Sequence, residues 1–401
     1  MQKWLLPEYI EDLLPAEAAR VEWLRRRILD LFFTHGYELV VPPMLEYVES
    51  LLTGTGHDLD LQTFKLIDQL SGRLLGLRAD ITPQVARIDA HLLNRQGVTR
   101  LCYAGTVLHT QPSGLLRTRE PMHIGAEIYG HSGLESDIEI QSLMLRGLHA
   151  SGVSGVHLDI GHVSVFRAIV TRAGVAAPKE AELFQVLQAK DVPALREMSR
   201  SLDGVTREAL LLLPELYGGP EVLLTARARL PPFPELMSCL DELVRIGQAL
   251  NGDVNELCFD LAELRGYHYH SGVVFAAYAG DRPEAIARGG RYDEVGRAFG
   301  RARPATGFTM DLRELAQMAN GENKPLRVLA PYLPDDAGLQ AEIAKLRAGG
   351  IVVVPDLPGH ESSRAELDCS QQLVAFNGAW KLESFGSTSV NLHQSKDKQR
   401  S

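Results

Sequence analysis

The length, composition and charge of the chain set the first limits. It has 401 residues, of which 45% are apolar and 23% are charged, and its net charge is −10. These values are typical of a soluble protein of two or three domains with a large core. The surplus of acidic side chains disfavours tight binding to nucleic acid, which needs a basic face to neutralise phosphates.

The N-terminal stretch and the cysteines point to a cytoplasmic protein. The stretch "MQKWLLPEYIEDLLPAEAARVEW" carries acidic residues and prolines early, unlike a signal peptide. The sequence contains no apolar run near 18 residues, about the length that a membrane span needs. The four cysteines are far apart and form no CxxC pair, which is typical of reduced structural thiols. We therefore expect no membrane contact, no metal and no cofactor.

The first elements are read from the apolar spacing. A helix is predicted from about Ala16 to His35, because apolar residues recur there every three or four positions. Gly36 ends it, and "YELVVPP" predicts a strand that its two prolines stop. The stretches "TFKLID" and "RLLGLRADITP", joined by the turn "QLSG", predict a β-hairpin that leads into a helix from Pro83. Two further strands flank the loop within "TVLHTQPSGLLRTREPMHIGAEIYG", residues 106–130.

Helices dominate the middle of the chain. The stretch "ESDIEIQSLMLRGLHA" predicts a helix in which Ser136 and Glu139 have the spacing of a capping box, and this gives Glu139 a structural role. Between residues 170 and 254, "KEAELFQVLQAKD" and "ELMSCLDELVRIGQAL" carry apolar stripes at helical spacing and predict a helical insertion. Strands resume at "NELCFDLAELRGYHYHSGVVFAAY", and "ATGFTMDLREL" predicts a last strand and helix.

The C-terminal part is predicted to be a separate unit. The polar segment "ANGENKP" is typical of a linker, and residues 325–384 have the pattern of a small β-α-β unit. Residues 386–401 contain almost no apolar side chains, which predicts a disordered tail. We thus expect one domain over residues 1–322, interrupted by the helical insertion at 170–254, followed by a small α/β domain.

Several separated stretches, in chain order, together resemble the histidyl-tRNA synthetases, a family of class II aminoacyl-tRNA synthetases. "FFTHGYELVVPPMLE" is similar to their first motif, with Pro43 as its dimer-interface proline, the stretch 106–130 to the second, and "GFTMDLREL" to the third. "LRADITP" resembles their "LRPEGT", "LRGYHYHSGVVF" their histidine-binding "RGLDYY" loop, and "ARGGRYDEV" their "GGGRYDGL". The resemblance covers roughly residues 1–320 and implies an α+β fold, an antiparallel sheet flanked by helices. "LRADITPQVARI" is the form of one branch, the regulatory subunits of short-form ATP phosphoribosyltransferase.

The resemblance implies that the ATP site is degenerate. His109 replaces the arginine that neutralises the α-phosphate, and Gln111 the glutamate that reads the adenine. Pro121 replaces the phenylalanine that stacks on the adenine, and Glu314 the arginine that holds the distal phosphate. Two lost arginine–phosphate bonds are worth roughly 3–6 kcal/mol, or about two to four decades in affinity. The adjacent Arg313 is not expected to compensate, since successive helix positions point about 100° apart.

The amino-acid side of the site keeps more of its chemistry. Glu127 matches the family's glutamate and can supply an anion for the ammonium of free histidine. Arg265 matches the arginine that touches substrate and transition state. The remaining positions that match the pocket, three of them with altered residue types, are Asp80, Thr82, His123, Tyr269, His270 and Tyr292.

These residues also have structural interpretations. Glu127 and Arg265 could form a buried ion pair that holds the sheet, and Tyr269 and Tyr292 could be ordinary core aromatics. The glycines of "GGRYD" could serve only a tight turn, since the stretch lacks the Lys-Ser/Thr of a phosphate loop.

Two histidine patterns have the spacing of possible metal ligands. His268 and His270 fall on one strand face, but no third ligand is evident. His157, Asp159 and His162 in "HLDIGH" are similarly spaced, yet such residues more often close a strand and start a helix. The sequence therefore predicts no metal site.

The resemblance implies a non-catalytic regulatory subunit. It would form a self-dimer through the first motif and a hetero-octamer with a short catalytic subunit, which performs the phosphoribosyl transfer that opens histidine biosynthesis. Free histidine would be the effector, with a coupling free energy of typically about 1–3 kcal/mol. No tRNA is expected, because the C-terminal unit is short and acidic. Two rivals stay open: a divergent histidyl-tRNA synthetase or other aminoacyl-adenylate-forming enzyme, and a relic that senses tRNA.

Overall fold

The structure, a computed structural model, describes residues 4–53, 57–112, 114, 117–264, 266, 269–280, 282–319 and 326–384. The chain divides into two compact units, Met1–Gly321 and Glu322–Ser401, each with a core of its own. The helices of the first unit are α1 (Pro15–Thr34), α2 (Val48–Leu51), α3 (His57–Gln62), α4 (Thr82–Arg87), α5 (Leu134–Ala150), α6 (Val163–Arg172), α7 (Ala177–Gln188), α8 (Val192–Met198), α9 (Gly204–Leu212), α10 (Glu221–Arg229), α11 (Pro234–Leu250) and α12 (Leu312–Met318). Its strands are β1 (Glu38–Leu39), β2 (Leu45–Tyr47), β3 (Phe64–Ile67), β4 (Leu74–Leu77), β5 (Thr99–Thr106), β6 (Met122–Tyr129), β7 (Val156–His162), β8 (Tyr217–Gly218), β9 (Glu256–Asp260), β10 (Val273–Ala279), β11 (Ala287–Arg291) and β12 (Ala305–Asp311).

A large sheet organises the first unit. Within the described residues its strand order is β1-β5-β6-β12-β11-β10-β7-β9-β8, and a second, small sheet has the order β2-β4-β3. The six central strands, in the sheet order β5-β6-β12-β11-β10-β7, pair with one another in antiparallel fashion. On the two sides of this group, β1 runs parallel to β5 and β9 runs parallel to β7. The α+β class predicted from the sequence, an antiparallel sheet flanked by helices, is confirmed.

The two faces of the large sheet carry different side chains. Along β6, Ile124, Ala126 and Ile128 are buried in the main core, which also includes residues of α1, α5 and α12. Because successive strand residues point to opposite faces, His123 and Glu127 of the same strand lie on the other face. Polar groups from several strands can therefore meet there, away from the helices.

The first elements lie close to their predicted positions. The helix α1 begins one residue before and ends one residue before the predicted bounds, and Gly36 follows with a φ of 84°, the left-handed conformation that glycine favours. The strand predicted from "YELVVPP" is shorter, only Glu38–Leu39, although Val40 still donates a backbone hydrogen bond to Cys102 at 2.9 Å. The prolines that follow have no N–H group with which to extend the ladder.

The predicted capping box is wrong. Helix α5 begins at Leu134 with Gly133 as its N-cap, so Ser136 lies inside the first turn and donates to the Gly133 carbonyl at 2.8 Å. Glu139 instead forms an ion pair with Arg100, at 2.6 and 2.7 Å. The role of Glu139 is structural, as predicted, but it comes from an ion pair that connects α5 to β5 and not from a helix cap.

The stretch predicted as a helical insertion, residues 170–254, contains α7 to α11. Its apolar stripes face inward, since Leu183, Leu187, Leu236, Leu240 and Leu243 are all fully buried. The short strand β8 within this stretch was not predicted; it pairs with β9 and extends the end of the large sheet. Within the described residues every helix is too short or too polar to span a bilayer.

The second unit is a small α/β layer. Its elements are β13 (Arg327–Pro331), α13 (Ala337–Ala348), β14 (Val352–Asp356), β15 (Gln371–Phe376) and β16 (Ala379–Ser384). The strand β13 runs parallel to both β14 and β15, which gives the expected β-α-β pattern, and β16 adds a hairpin to β15. The predicted tail, residues 386–401, lies outside the described residues.

Candidate functional site

A buried polar cluster lies on the face of the large sheet opposite to the main core. We call it the Glu127 cluster, and it consists of Thr82, Tyr103, Glu127, Tyr129, Tyr269 and Tyr292. Its side chains come from α4, from strands β5 and β6, and from the segments next to β10 and β11. The cluster therefore gathers groups that are more than 200 residues apart in sequence.

Glu127 is held by hydroxyl groups. Its Oε1 accepts hydrogen bonds from Tyr103 at 3.2 Å and from Thr82 at 3.3 Å, and the Tyr292 hydroxyl lies 2.5 Å from Oε2. Tyr129 lies 3.1 Å from the same Tyr292 hydroxyl. Among the described residues no cation contacts Glu127, so the ion-pair interpretation rests on Arg265, which lies outside them.

Burial changes the charge of Glu127. The side chain is 1% exposed, and the loss of solvent raises its pKa from 4.5 to about 8, although the hydrogen bonds from Tyr292 and Tyr103 act in the opposite direction. At neutral pH the carboxyl group is therefore largely protonated. A cation placed next to it would favour the ionised form.

Glycines make room for the cluster. Gly307 of β12 lies directly opposite Glu127, and a Cβ at this position would lie 1.4 Å from the Glu127 carboxylate. Gly125 is similarly close to Tyr103, whose hydroxyl would lie 2.5 Å from an added Cβ. Backbone carbonyls are close as well, since an added Cβ would lie 2.4 Å from the Phe308 oxygen at Gly125 and 2.8 Å from the Ala126 oxygen at Gly307, so both positions favour glycine.

Asp80 and two histidines lie beside the cluster. The Asp80 carboxylate accepts backbone hydrogen bonds from Ile81 at 2.7 Å and Thr82 at 3.3 Å, and its side chain is 32% exposed. His123 Nδ1 lies 3.9 Å from Asp80, beyond hydrogen-bond distance, and is buried without a partner. Burial, the main cause, lowers the pKa of His123 to about 3, so its ring is neutral. The His109 ring packs edge-on against it, with centroids 6.3 Å apart.

The segment after Gly266 brings two rings to the cluster. Tyr269 lies 5.1 Å from the Tyr292 ring and 5.3 Å from the His270 ring, and its hydroxyl is buried without a hydrogen-bond partner. His270 donates from Nδ1 to the Arg291 carbonyl at 3.2 Å, and burial lowers its pKa to about 4. The predicted residues Arg265 and His268 lie outside the described residues.

The side that would hold ATP has a different character. His109 donates from Nε2 to the Ala79 carbonyl at 2.9 Å, and Arg119 donates to the His109 carbonyl at 3.0 Å. Gln111 is exposed. Pro121 is buried, and its carbonyl accepts a backbone hydrogen bond from Val107, the residue that follows β5. No contact joins Gln111 or Pro121 to the Glu127 cluster within the described residues.

The cations of this side are already bound. Glu314, which is 8% exposed, forms an ion pair with Arg282. The adjacent Arg313 binds Glu11 at 2.7 Å, and Arg117 donates to the Ala285 carbonyl at 3.0 Å. Arg282 and Arg313 are thus paired with protein carboxylates, while Arg117 Nε and His109 Nδ1 are buried without hydrogen-bond partners.

Comparison with known proteins shows the family to which the chain belongs. The family model "Histidyl-tRNA synthetase" matches residues 9–315, and the model "ATP phosphoribosyltransferase subunit HisZ C-terminal domain" matches residues 325–383. The ATP phosphoribosyltransferase regulatory subunit of Nitrosospira multiformis is 58% identical over 386 residues, 95% of this chain and 98% of its own length. That of Ralstonia pickettii is 59% identical over 377 residues, 94% and 97% of the two chains. The chain belongs to the family of ATP phosphoribosyltransferase regulatory subunits.

Solved structures show the same fold. An ATP phosphoribosyltransferase regulatory subunit/histidyl-tRNA synthetase from Bacillus halodurans is 27% identical, with a TM-score of 0.80 over 91% of this chain and 96% of its own. A histidyl-tRNA synthetase from Nostoc sp. has a TM-score of 0.75 over 92% and 91% at 16% identity, which bears on the fold alone. As a member of the regulatory-subunit family, the chain is a non-catalytic part of an enzyme complex.

The "GGRYD" stretch of this family member belongs to strand β11 and the two residues that follow it, and it links the sheet to helix α5. Gly289 and Gly290 lie within β11 without positive φ, so the tight-turn interpretation is wrong. Arg291 forms a buried ion pair with Asp137 of α5, at 2.7 and 3.0 Å. The next residue, Tyr292, is thereby fixed over Glu127.

Sequence reasoning missed several residues of the site. Tyr103 and Tyr129 were not singled out, because a tyrosine in an apolar strand looks like core and the strand register cannot be read from one sequence. Asp311 was also missed; it is the N-cap of α12 and accepts from the Arg313 and Met122 backbone at 3.0 and 3.2 Å. The pKa of Asp311 is raised to about 6, mainly because the side chain is buried. The available signal was its position at the start of "DLREL", before the helix of the third motif, where the family's "GLERL" has a glycine.

The histidine patterns weighed as metal sites have other partners. Within the described part of the chain, no group of three or more His, Cys, Asp or Glu side chains is arranged to hold a metal. His162 closes β7 and caps α6 by accepting from the Ser164 backbone at 3.2 Å, as the strand-to-helix interpretation predicts. His157 pairs with Glu256 at 2.8 Å.

Proposed function

We propose that the chain binds free histidine at the Glu127 cluster and transmits feedback inhibition to a short-form ATP phosphoribosyltransferase catalytic subunit, whose full activity also requires it. The main support is a contrast between the two halves of the site. On the amino-acid side, the Tyr269 hydroxyl and His123 Nδ1 are buried polar atoms without partners, which a ligand could satisfy. On the phosphate side, Arg282 and Arg313 are already paired with the carboxylates of Glu314 and Glu11. His109 Nδ1 and Arg117 Nε are also buried there without hydrogen-bond partners, so the contrast lies in the paired arginines.

Histidine offers three polar groups to this site. Its ammonium would favour ionisation of Glu127, which is otherwise protonated at neutral pH because of burial. Asp80, a third exposed, is a second carboxylate for the same ammonium. Arg265 is the expected partner of the ligand carboxylate, and Tyr269 and His270, whose rings lie 5.3 Å apart, are the expected neighbours of the imidazole.

The chain itself is proposed to form no aminoacyl adenylate. An ATP α-phosphate would meet the His109 ring, whose Nε2 already donates to a backbone carbonyl, instead of an arginine, and the distal phosphate would meet the Glu314 carboxylate. Each lost arginine–phosphate bond is worth roughly 1.5–3 kcal/mol, and the carboxylate adds repulsion. Binding of tRNA is not expected either, because the second unit is short and carries acidic stretches such as "LPDDAGLQAE".

We propose a self-dimer that associates with catalytic subunits into a hetero-octamer. The end strand of the large sheet, β1, includes Leu39, which is 49% exposed; Val41, two residues after the strand, is 80% exposed, and Phe33 near the end of α1 is 77% exposed. An exposed apolar strand at a sheet edge is typical of an interface. The four cysteines are buried free thiols, which supports a cytoplasmic location.

The test combines the full chain with the catalytic subunit and follows phosphoribosyl-ATP formation with and without histidine. Activity should rise on mixing and fall when histidine is added. Tyr292→Phe removes the hydroxyl beside Glu127, so histidine should inhibit at roughly tenfold higher concentration. Tyr332→Phe, a 50% exposed tyrosine of the second unit, is the matched control and should leave inhibition unchanged.

Two results would overturn the proposal. If mixing forms no stable complex and changes no rate, the regulatory role is wrong for this chain. If the chain alone catalyses histidine-dependent exchange of pyrophosphate into ATP, the synthetase alternative is correct instead.

A further inference from the structure

A second cleft lies in the first unit, at the other end of the large sheet. Its volume is about 280 Å³, and the side chains that line it include His157, Asp159, Tyr217, Glu256, Tyr278 and Arg282. They come from β7, β8 and β9 and from the end of β10. None of them belongs to the Glu127 cluster.

The register of the sheet gives the face on which this cleft lies. Asp159 is directly opposite Ala276, which is opposite Arg288, and Arg288 is opposite Thr309, which is opposite Gly125. Residues directly opposite each other on neighbouring strands point to the same face. The cleft and the Glu127 cluster therefore share one face of the sheet and lie several strands apart.

Two carboxylates and two tyrosine rings line the cleft, together with Arg282, which pairs with Glu314, and His157, which lies 2.8 Å from Glu256. The charge of Asp159 is the main cause that raises the pKa of Tyr217 to about 12. The rim already attracts one cation, since Lys190 lies 5.2 Å from the centre of the Tyr217 ring and 2.7 Å from the Asp260 carboxylate. Carboxylates next to tyrosine rings are the surroundings that a guanidinium group prefers, because it can form hydrogen bonds and stack at the same time.

The size and exposure of the cleft favour a side chain over a free small molecule. Sites for small ligands usually enclose about 300–1,000 Å³ and bury most of the ligand. This cleft is smaller, and two of its side chains, Tyr217 and Glu256, are 52% and 57% exposed. An open cleft can admit a side chain from a neighbouring protein, and arginine is enriched at protein interfaces, where the bound partner removes the anchor from solvent.

One edge of the cleft is connected to the former ATP side. Arg282 lines the cleft and also binds Glu314 and Gln317 of α12. Two residues further on, Glu284 lies 3.7 Å from Arg117, which belongs to the loop between β5 and β6. A partner bound at this cleft would thus contact a segment that reaches the elements around the proposed histidine site.

We propose that this cleft receives an arginine side chain of the catalytic subunit and forms part of the interface between the two proteins. The inference rests on the proposed function, because it names the surface through which the proposed partner binds. Asp159 and Glu256 would accept the guanidinium hydrogen bonds, and Tyr217 and Tyr278 would flank its plane.

The test measures the affinity of the full chain for the catalytic subunit by a titration at two salt concentrations. Glu256→Lys reverses one charge of the cleft, and the milder Asp159→Asn removes another without a change of shape. We expect affinity to fall at least about tenfold for Glu256→Lys and severalfold for Asp159→Asn, with a weaker salt dependence in both. Glu197→Lys, on the exposed helix α8 and outside the cleft, is the charge-matched control and should stay within about twofold of the natural chain. Histidine binding by the chain alone should be unchanged in all three, which also shows that they are folded.

The outcomes separate this inference from the function on which it rests. If the natural chain binds its partner and both cleft variants bind within about twofold as well, the inference is wrong while the proposed function stands. If the natural chain binds no catalytic subunit, the proposed function fails and the inference with it. If Glu256→Lys weakens only self-association, the cleft is a contact between copies of this chain. If methylguanidine saturates the cleft in the chain alone while partner affinity is unaffected by the variants, the cleft is a small-ligand site. Both of the last two results overturn the inference.

Discussion

At the scale of single residues, Glu127 is the group whose charge depends most on its surroundings. Its pKa in the folded chain is about 8, against an ordinary value of 4.5. Because the folded state holds this proton more tightly, the stabilisation from Glu127 is complete below pH 4.5 and is lost as the pH rises through about 8. His123, with a pKa lowered to about 3, has the opposite effect: its stabilisation is present above pH 6.5 and lost as the pH falls.

This predicts a pH-dependent stability that Glu127→Gln removes in part. Thermal unfolding of the ligand-free chain should show a smaller loss of Tm between about pH 6 and pH 9 in Glu127→Gln than in the natural chain, because glutamine cannot ionise. Glu197→Gln replaces an exposed carboxyl group and should leave the pH profile as it is. Equal losses in all three proteins would mean that Glu127 is already ionised in the folded state.

Gly307 is a second residue with a measurable role. Gly307→Ala would place a methyl group 1.4 Å from the present position of the Glu127 carboxylate, so Glu127 must move. We expect a loss of about 1–3 kcal/mol in the free energy of unfolding together with weakened histidine binding. Gly204→Ala is the control, since nothing lies within 4 Å of its added Cβ. Calorimetric histidine titration and chemical denaturation would check both; normal binding by Gly307→Ala would show that the ligand does not use this part of the cluster.

The sequence predicted the chemistry of this site better than its packing. Glu127, Thr82 and Tyr292 were assigned through motifs, and the structure brings their side chains into contact. Tyr103 was missed because its contact with Glu127 depends on how β5 pairs with β6, a long-range property that no local pattern encodes. For Arg265 the assignment stays a prediction.

At the scale of elements, one buried ion pair connects the site to the helical layer. Arg291 of β11 and Asp137 of α5 are 7% and 2% exposed and lie 2.7 Å apart. Asp137→Ala would leave the buried Arg291 guanidinium with only the longer contact to Asp293 at 3.3 Å, which is expected to cost about 3 kcal/mol in unfolding free energy, the lower end of the range for a broken buried pair. Glu197→Ala, which breaks the exposed pair with Arg200, should cost less than about 1 kcal/mol. Urea denaturation distinguishes the two; similar small losses would mean that solvent reaches Arg291.

The helices and strands were predictable to different degrees. Helix α1 follows its apolar spacing almost to the residue, because that spacing and Gly36 are local signals. The start of α5 was placed too late, since Gly133 caps it without a side chain and Ser136 imitates a cap two residues inside the helix. The strand β8 is two residues long and exists only through its pairing with β9, so nothing in its own sequence indicates it.

At the scale of the whole molecule, the two units have separate cores. The core of the second unit is formed by residues from Val328 to Leu373, and every residue of the Glu127 cluster belongs to the first unit. A chain that ends at Ala319 should therefore fold and bind histidine with an affinity within about twofold of the full chain. Histidine titration of the shortened chain tests this. A shortened chain that is folded but does not bind would show that the second unit contributes to the site.

The ion pair between Glu314 and Arg282 also bears on how this protein can change in evolution. Glu314→Arg alone would set two guanidinium groups against each other at a position that is now 8% exposed, where repulsion is stronger than at a solvated surface. Replacement of Arg282 alone would leave Glu314 without its partner. A lineage that returned to ATP chemistry would have to pass through one of these less stable intermediates. Selection for stability would therefore oppose reversal, and the proposed loss of the nucleotide site would act as a one-way step.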